Sequence, residues 1–187
     1  TVGAKWKNKK TIRTYSIPAN PKTDAQMSVR GVFANLTSFV ALFSDQIKYL
    51  TSLDVRGMSV RNAIIKANKA QIEAGTFDPE TLIVNKGGLP TVSGLTVATW
   101  GTTGNITATW TKPTATNLSE KARMVVVMVD KTANVAVAAD ALLSAETINV
   151  PMQGTSGNKI DCYYYIIDYR GSSRVGSISQ YTSGTPA

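Results

Sequence analysis

The N-terminus carries the densest group of side chains that could do chemistry. Residues 1–22 contain six cations and no acid, whereas residues 23–187 contain fourteen cations and twelve acids. The segment therefore supplies +6 of the net charge of +8. Cations interleaved with aromatic residues are typical of surfaces that bind phosphate or an acidic partner. The candidate contact residues are Lys5, Trp6, Lys7, Lys9, Lys10, Arg13 and Tyr15.

Three interpretations of this basic segment stay open. It could be a solvated edge strand guarded by lysines, an arm that contacts another protein, or a site for nucleic acid. Nucleic acid ranks below the other two, because the predicted helices carry no comparable cluster of cations. A dedicated nucleic-acid binder usually spreads its basic footprint over a folded face.

The remaining chemistry is sparse. The chain has no histidine and one cysteine, Cys162, which excludes histidine general bases, Ser–His or Cys–His pairs, the usual zinc sets and an internal disulfide. Cys162 is predicted to be a buried thiol. Asp161 and Asp168 lie seven positions apart in a strand-like run, which places them on opposite faces. We therefore expect no enzyme, no metal site and no cofactor.

Two further motifs have ordinary structural interpretations. The stretch NKGGLP is predicted to be a turn, because no helix follows the glycine pair as a phosphate loop requires. Tyr163, Tyr164 and Tyr165 alternate between the faces of a strand and favour packing in the core. The alternative is ligand contact through Tyr164 alone, or through Tyr163 and Tyr165.

The spacing of apolar residues divides the chain into three parts. Residues 1–22 are predicted to form an extended arm, as a strand or hairpin that ends at two prolines. Residues 23–78 show helical spacing, with one helix over 24–51 that could bend at Gly31. Thr23 or Asp24 is its predicted N-cap. A second helix runs from a cap at Ser59 to a stop at Gly75, and the two predict a helical hairpin.

Three phenylalanines belong to the long predicted helix. Phe33, Phe39 and Phe43 are expected to face a core. The alternative is that these three side chains form an exposed assembly face.

In residues 79–187, the spacing of apolar residues changes to the pattern of short strands separated by turns. Eight runs are predicted to be strands: TLIVNK, LTVATW, GNITATWT, ARMVVVMVD, ANVAVAA, ETINVPM, KIDCYYYIIDY and RVGSISQY. Trp100 and Trp110 are expected in the core. The predicted fold class is α+β, with an extended basic arm, a helical hairpin and an antiparallel sandwich. Without a cysteine pair, we expect a fibronectin type III-like or other immunoglobulin-like variant.

Three local patterns carry a resemblance to a known family. They are GAKWKNKKTIR, NPKTDAQMSVRGVF opening the long helix, and NKGGLP with IDCYYYIIDYRGSSRVGSISQY in the C-terminal half. In this order they resemble an uncharacterised family of Bacteroidota proteins, also found near phage-derived genes. The resemblance covers most of the chain. It implies a helical front, a fibronectin-like back and no signal peptide, and it brings no catalytic residues.

The functional hypotheses follow from the arm and the sandwich. The first is a self-assembling structural protein, such as a shell, tail or fibre subunit of a virion or another filament, whose arm makes inter-subunit contacts. Its main expected partner is another copy of itself, and other virion proteins are further candidates. The second is a monomeric immunoglobulin-like module whose loops, such as KPTATNLSEK or MQGTSGNK, bind a glycan or protein. The third is a nucleic-acid-associated protein. We expect synthesis without a classical signal peptide, no membrane insertion, and a virion or extracellular location, with the cytoplasm as the alternative.

Overall fold

The computed structural model describes residues 2–6, 9–13, 22–97, 105–115, 117–153 and 155–186, the first two ranges by their backbone alone. In those two ranges, β1 (Val2–Trp6) pairs antiparallel with β2 (Lys9–Arg13). The prediction of a strand or hairpin in the basic arm is therefore confirmed. Trp100 lies outside the described residues.

The first helix begins where its cap predicts and ends earlier than expected. α1 spans Asp24–Ala41 and continues through Gly31. Its N-cap is Thr23, whose hydroxyl accepts a hydrogen bond from the Gln26 N–H at 3.4 Å. The predicted end at residue 51 is wrong, because the chain continues from residue 42 as successive turns. Several of these turns close with i→i+3 bonds, tighter than the α-helical i→i+4 pattern.

The second helical region is two short helices. α2 spans Val60–Ala67 behind the cap at Ser59, and α3 spans Lys69–Ala74. Gly75 ends α3 with a φ of 70°, as the stop signal predicts. The break falls at Asn68, whose side-chain amide donates to the carbonyls of Ile64 and Ile83 and accepts from the Ile83 N–H, each at 2.8 Å. A 3₁₀ turn over Pro79–Thr81 follows.

The run TLIVNK is not a strand, which corrects the first of the eight predicted strands. No neighbouring strand pairs with it in the described residues, and side chains bond part of its backbone. Asn68 bonds Ile83, and the Ser179 hydroxyl accepts from the Val84 N–H at 2.9 Å. The run leads into NKGGLP, where no helix follows the glycine pair. The predicted turn is an irregular connection instead, in which Leu89 bridges to Ser177. A Cβ on Gly87 would lie 1.8 Å from the Gly176 carbonyl oxygen, so only glycine allows this close approach.

The larger sheet has five antiparallel strands. It consists of β5 (Arg123–Asp130), β6 (Val135–Leu142), β8 (Ile160–Arg170), β9 (Ser173–Gly176) and β10 (Gln180–Gly184). The order is β10-β8-β5-β6, with β9 also pairing with β8. The predicted run RVGSISQY is split into β9 and β10. At the split, Ser177 bridges to Leu89 and the Ser179 N–H donates to the Asn85 carbonyl at 3.1 Å.

The smaller sheet has three antiparallel strands in the order β3-β4-β7. Its strands are β3 (Thr96–Val97), β4 (Ile106–Thr109) and β7 (Thr147–Val150). A 3₁₀ turn over Leu143–Ala145 connects β6 of the larger sheet to β7. Trp110 directly follows β4 and is buried, as predicted, with its indole N–H donating to the Leu143 carbonyl at 3.0 Å.

Two hydrophobic clusters cover the two faces of the larger sheet. One lies between the sheets and contains alternate β8 residues such as Cys162 and Tyr164 with Ile106 and Val150 of the smaller sheet. The other lies between the larger sheet and the helices and contains Tyr163, Tyr165 and Ile167 with the helical residues Leu36, Phe39, Val40, Phe43 and Ile64. The described body is thus an α+β structure in three layers: helices, larger sheet and smaller sheet. The division of the chain at residue 78 stays a prediction.

Candidate assembly surfaces

The two described segments of the basic arm, β1 and β2, pair as an antiparallel hairpin. Its register runs from Val2 opposite Arg13 to Trp6 opposite Lys9. Within the described residues, this pair forms a sheet of its own and joins neither the larger nor the smaller sheet of the body. Lys5, Lys10 and the other strand positions of the arm are placed by their backbone alone. Lys7 and Tyr15 lie outside the described residues.

The first turns of α1 are exposed. Residues 22–31 are exposed throughout, and we call them the exposed turns. They touch the body where the Ser28 hydroxyl donates to the Gly75 carbonyl at 3.4 Å. They carry two large apolar side chains, Met27 at 50% exposure and Val29 at 40%. Phe33 follows them at 47% exposure. Val29 and Phe33 are four positions apart and share one face of the helix, whereas Met27 lies on another. An exposed pair of apolar side chains on one face is a candidate contact site for another molecule.

The three predicted phenylalanines do not share one environment. Phe39 and Phe43 are buried against Tyr163, with ring centroids 6.2 Å from the tyrosine ring in both cases. Phe33 lies on the exposed part of α1, so the expectation that it faces a core is wrong. Phe33 lies between Val32 and Leu36, the first two buried residues of the helix, and its own side chain stays half exposed.

β6 forms one edge of the larger sheet, and a single side chain pairs with part of that edge. The amide of Gln46 donates to the Ala136 carbonyl at 2.8 Å and accepts from the Ala138 N–H at 2.7 Å. A glutamine amide in this position makes the two bonds that a neighbouring strand would make. Gln46 lies in the turns after α1, so the shortened helix places it at the sheet edge.

The carboxylates of β8 are structural and lie apart. Asp161 accepts a hydrogen bond from the Tyr181 hydroxyl at 2.7 Å. Asp168 accepts from the Ser119 hydroxyl and from the Arg170 Nε at 3.1 Å. Burial raises the pKa of Asp168, but the hydrogen bonds from Ser119 and Arg170 outweigh it and leave that pKa below its ordinary value. Their placement on opposite faces, as predicted, gives no paired-carboxylate site.

The thiol and tyrosines of β8 are also parts of the core. Cys162 is fully buried, as predicted, and burial raises its pKa to about 12. Tyr163, Tyr164 and Tyr165 are all buried, so core packing is confirmed and neither predicted exposed set is present. Among the residues that the structure describes, no group of three or more metal-ligating side chains converges on one point.

The two predicted recognition loops are hydrogen-bonded to β8 and β5 through residues in the C-terminal half of each loop. In the loop over 112–121, Ser119 bonds Asp168 and the Asn117 carbonyl accepts from Arg170. In the loop over 152–159, the Asn158 amide donates to Asp130 at 2.9 Å. These bonds hold the loops at the ends of β5 and β8. Ligand contact by either loop stays a hypothesis.

Asn85 is a buried polar junction that the sequence analysis did not identify. Its side-chain oxygen accepts from the Thr51 hydroxyl at 2.9 Å and the Ser52 N–H at 2.8 Å. Its side-chain nitrogen donates to the Ser177 carbonyl at 2.8 Å. One amide thus joins the turns after α1, the connection before Gly87 and the segment after β9. The sign of this role in the sequence was a single asparagine between the apolar run TLIV and the glycine pair Gly87 and Gly88.

No family model matches this chain, and no curated protein or solved structure shows significant similarity to it. The resemblance to the Bacteroidota family therefore stays a prediction. Across the described part of the chain, no helix is both long enough and apolar enough to span a membrane.

Proposed function

We propose that this chain is a non-enzymatic structural subunit that assembles with copies of itself. Its N-terminal hairpin and the exposed turns of α1 make the contacts between copies. The observation that carries the proposal is the exposure of every residue from 22 to 31, with Met27 and Val29 among them. These turns directly follow the basic arm, so one end of the chain offers both apolar contact area and positive charge.

The hairpin supports the same function. A two-stranded hairpin alone is marginally stable in water, and packing against a third strand or a helix stabilises it. Within the described residues, β1 and β2 pair with each other and with no other strand. A contact with a neighbouring copy would supply the missing partner.

The sandwich is proposed to be immunoglobulin-like, of the fibronectin type III kind. In immunoglobulin lettering, the smaller sheet β3-β4-β7 corresponds to strands A, B and E. In the larger sheet, β6, β5, β8 and β10 correspond to C′, C, F and G. The larger sheet is then C′-C-F-G, which agrees with the placement of C′ beside C in immunoglobulin-like sheets. Together with the family resemblance, this supports a shell, tail or fibre subunit in a virion or another extracellular assembly.

The test is the mass of the purified protein in solution, measured by light scattering at low and high salt. We expect a defined oligomer for the full chain and a monomer after deletion of residues 1–22. The salt series reports on the cations of the arm, because exposed charges are screened at high ionic strength. Circular dichroism and urea unfolding of the shortened chain check that the body stays folded.

A full chain that is monomeric at both salt concentrations would contradict the proposal and favour a monomeric binding module. An oligomer that survives the deletion unchanged would contradict the role of the arm. Material that assembles only with co-purified nucleic acid, seen in its ultraviolet spectrum, would favour the nucleic-acid hypothesis.

A further inference from the structure

The C-terminal half of β6 has an unpaired edge. β6 pairs with β5 in regular register, from Val135 opposite Asp130 to Leu142 opposite Arg123. Because Gln46 bonds Ala136 and Ala138 from outside the sheet, the even-numbered residues direct their backbone groups away from β5.

Beyond Gln46, these outward groups have no partner within the described residues. They are the carbonyl of Ala138, both backbone groups of Asp140 and the N–H of Leu142. We call residues 138–142 the free edge. Gln46 already occupies the first part of β6, so it restricts any further strand to this half.

The free edge lacks the features that usually protect an edge strand. β6 reads VAVAADAL, with no lysine and no proline, and its register contains no bulge. Its one charged side chain, Asp140, forms an ion pair with Arg123, so its charge is largely compensated. Small side chains dominate the strand, and they let another backbone approach.

We propose that the free edge accepts β1 of a second copy of this chain as an additional antiparallel or parallel strand. The proposal rests on the proposed function, and it names the surface that receives the arm. Backbone hydrogen bonds to an exposed sheet edge are an established mode of binding an extended segment. The product is a continuous sheet in which β1 lies between β6 of one copy and its own partner β2.

Charge distinguishes β1 from β2 as the strand that docks. β1 reads VGAKW and has one cation, whereas β2 reads KKTIR and has three. Lys121 and Arg123 lie beside Asp140 and Leu142 in one cleft at the end of the free edge. Because Arg123 is paired with Asp140, the cation that decides here is Lys121. Docking β2 would bring three cations toward it and docking β1 only one, and like charges across a strand pair are destabilising. With β1 docked, β2 becomes the new outer strand, and its lysines protect it from further pairing.

A proline at Leu142 tests the free edge inside the full chain. The φ of Leu142 is −56°, close to the value that proline requires. The N–H that proline removes points outward, so the pairing of β6 with β5 keeps its hydrogen bonds. Leu142→Ala is the matched control, because it removes the same half-exposed side chain and keeps the N–H. Both variants are compared with the full chain and with the 1–22 deletion by light scattering at equal concentration.

We expect the full chain and Leu142→Ala to assemble alike. Leu142→Pro should raise the dissociation constant at least about tenfold and approach the monomer mass of the deletion. If Leu142→Pro assembles as Leu142→Ala does while the deletion is monomeric, the free edge is not the acceptor and the proposed function stands. If the full chain itself is monomeric, both are overturned.

Disulfide trapping gives a second readout that does not depend on the proline variant folding. The one native thiol, Cys162, is fully buried, so an introduced surface cysteine is the reactive one. Full-length Ala4→Cys, in β1, is mixed with full-length Leu142→Cys under mild oxidation. The control mixes Ala4→Cys with Tyr49→Cys, a position that is 69% exposed.

We expect severalfold more mixed dimer with Leu142→Cys than with Tyr49→Cys. Equal yields in the two mixtures would overturn the assignment of β6 as the acceptor. A high yield with Leu142→Cys together with a lost assembly in Leu142→Pro would establish it.

Discussion

At the scale of single residues, three amide side chains bond backbone groups that find no partner in a helix or a sheet. Gln46 bonds the edge of β6, Asn68 bonds the connection at Ile83, and Asn85 joins three segments at one point. An amide suits this role because it donates and accepts from one planar group. The helices and strands account for the layers of this protein, whereas these amides fix how the segments between them run.

Replacing Asn85 should therefore be costly. Asn85→Ala leaves the Ser52 N–H and the Ser177 carbonyl without their partner, in a site where Asn85 itself is fully buried. Leaving buried polar groups unpaired costs about 1–3 kcal/mol each, so we expect a loss of about 2–4 kcal/mol in the free energy of unfolding. Urea unfolding measures this loss.

The matched control is Asn149→Ala on β7. Asn149 is exposed, and its side chain accepts from the Thr107 hydroxyl at 2.8 Å. Water replaces this bond after substitution, so we expect a change below about 1 kcal/mol. Equal costs for the two substitutions would show that Asn85 is not the junction described above.

At the scale of elements, α1 has an exposed part and a buried part on one continuous helix. Its last turns bury Leu36, Phe39 and Val40 against the larger sheet, and its first turns are exposed. Since Met27 and Phe33 keep about half of their surface exposed, we expect them to contribute less than the buried residues do to the stability of the monomer. Their contribution is expected at the contact between copies.

A pair of substitutions on this helix separates the two parts. Phe39→Ala removes a fully buried ring and should cost about 3–5 kcal/mol in the free energy of unfolding. Phe33→Ala, at a position that is 47% exposed, should cost less than about 1 kcal/mol. Thermal or urea unfolding of dilute protein measures both. A large cost for Phe33→Ala would mean that its ring packs within one copy.

The limits of sequence reasoning are visible in these same elements. The N-caps Thr23 and Ser59 and the helix stop at Gly75 were predictable from the sequence, because capping residues act on their immediate neighbours. The end of α1 and the break at Asn68 were not, since both depend on contacts with residues distant in sequence, on β6 and at Ile83. The strand character of β6 followed from its residues, whereas its place at the sheet edge depends on which strands pair. The hairpin was predictable from its composition, and its acceptor was not.

At the scale of the whole molecule, β8 lies at the centre. It pairs with β5 on one side and with β9 and β10 on the other, and both of its faces are covered. Cys162 is therefore exposed only when the layers separate. Its reactivity should report global unfolding, not a local fluctuation.

We expect a small thiol reagent at pH 8 to label native Cys162 at least about 10³-fold more slowly than an exposed thiol. Burial and the pKa of about 12 act in the same direction, because both reduce the accessible thiolate. The control is Tyr49→Cys in a Cys162→Ala background. Labelling of Cys162 should rise with urea in parallel with loss of circular dichroism. Fast labelling in native buffer would show that β10 opens locally.

The layer between the helices and the larger sheet has a consequence for synthesis on the ribosome. Phe39 packs against Tyr163, which follows about 120 residues later and emerges on the order of ten seconds after it at roughly 5–20 residues per second. During that interval the apolar stripe of α1 lacks β8, which supplies Tyr163, Tyr165 and Ile167 to its cluster. We therefore expect the nascent helix to bind chaperones, because the larger sheet is complete only once β8 and the strands after it have left the exit tunnel.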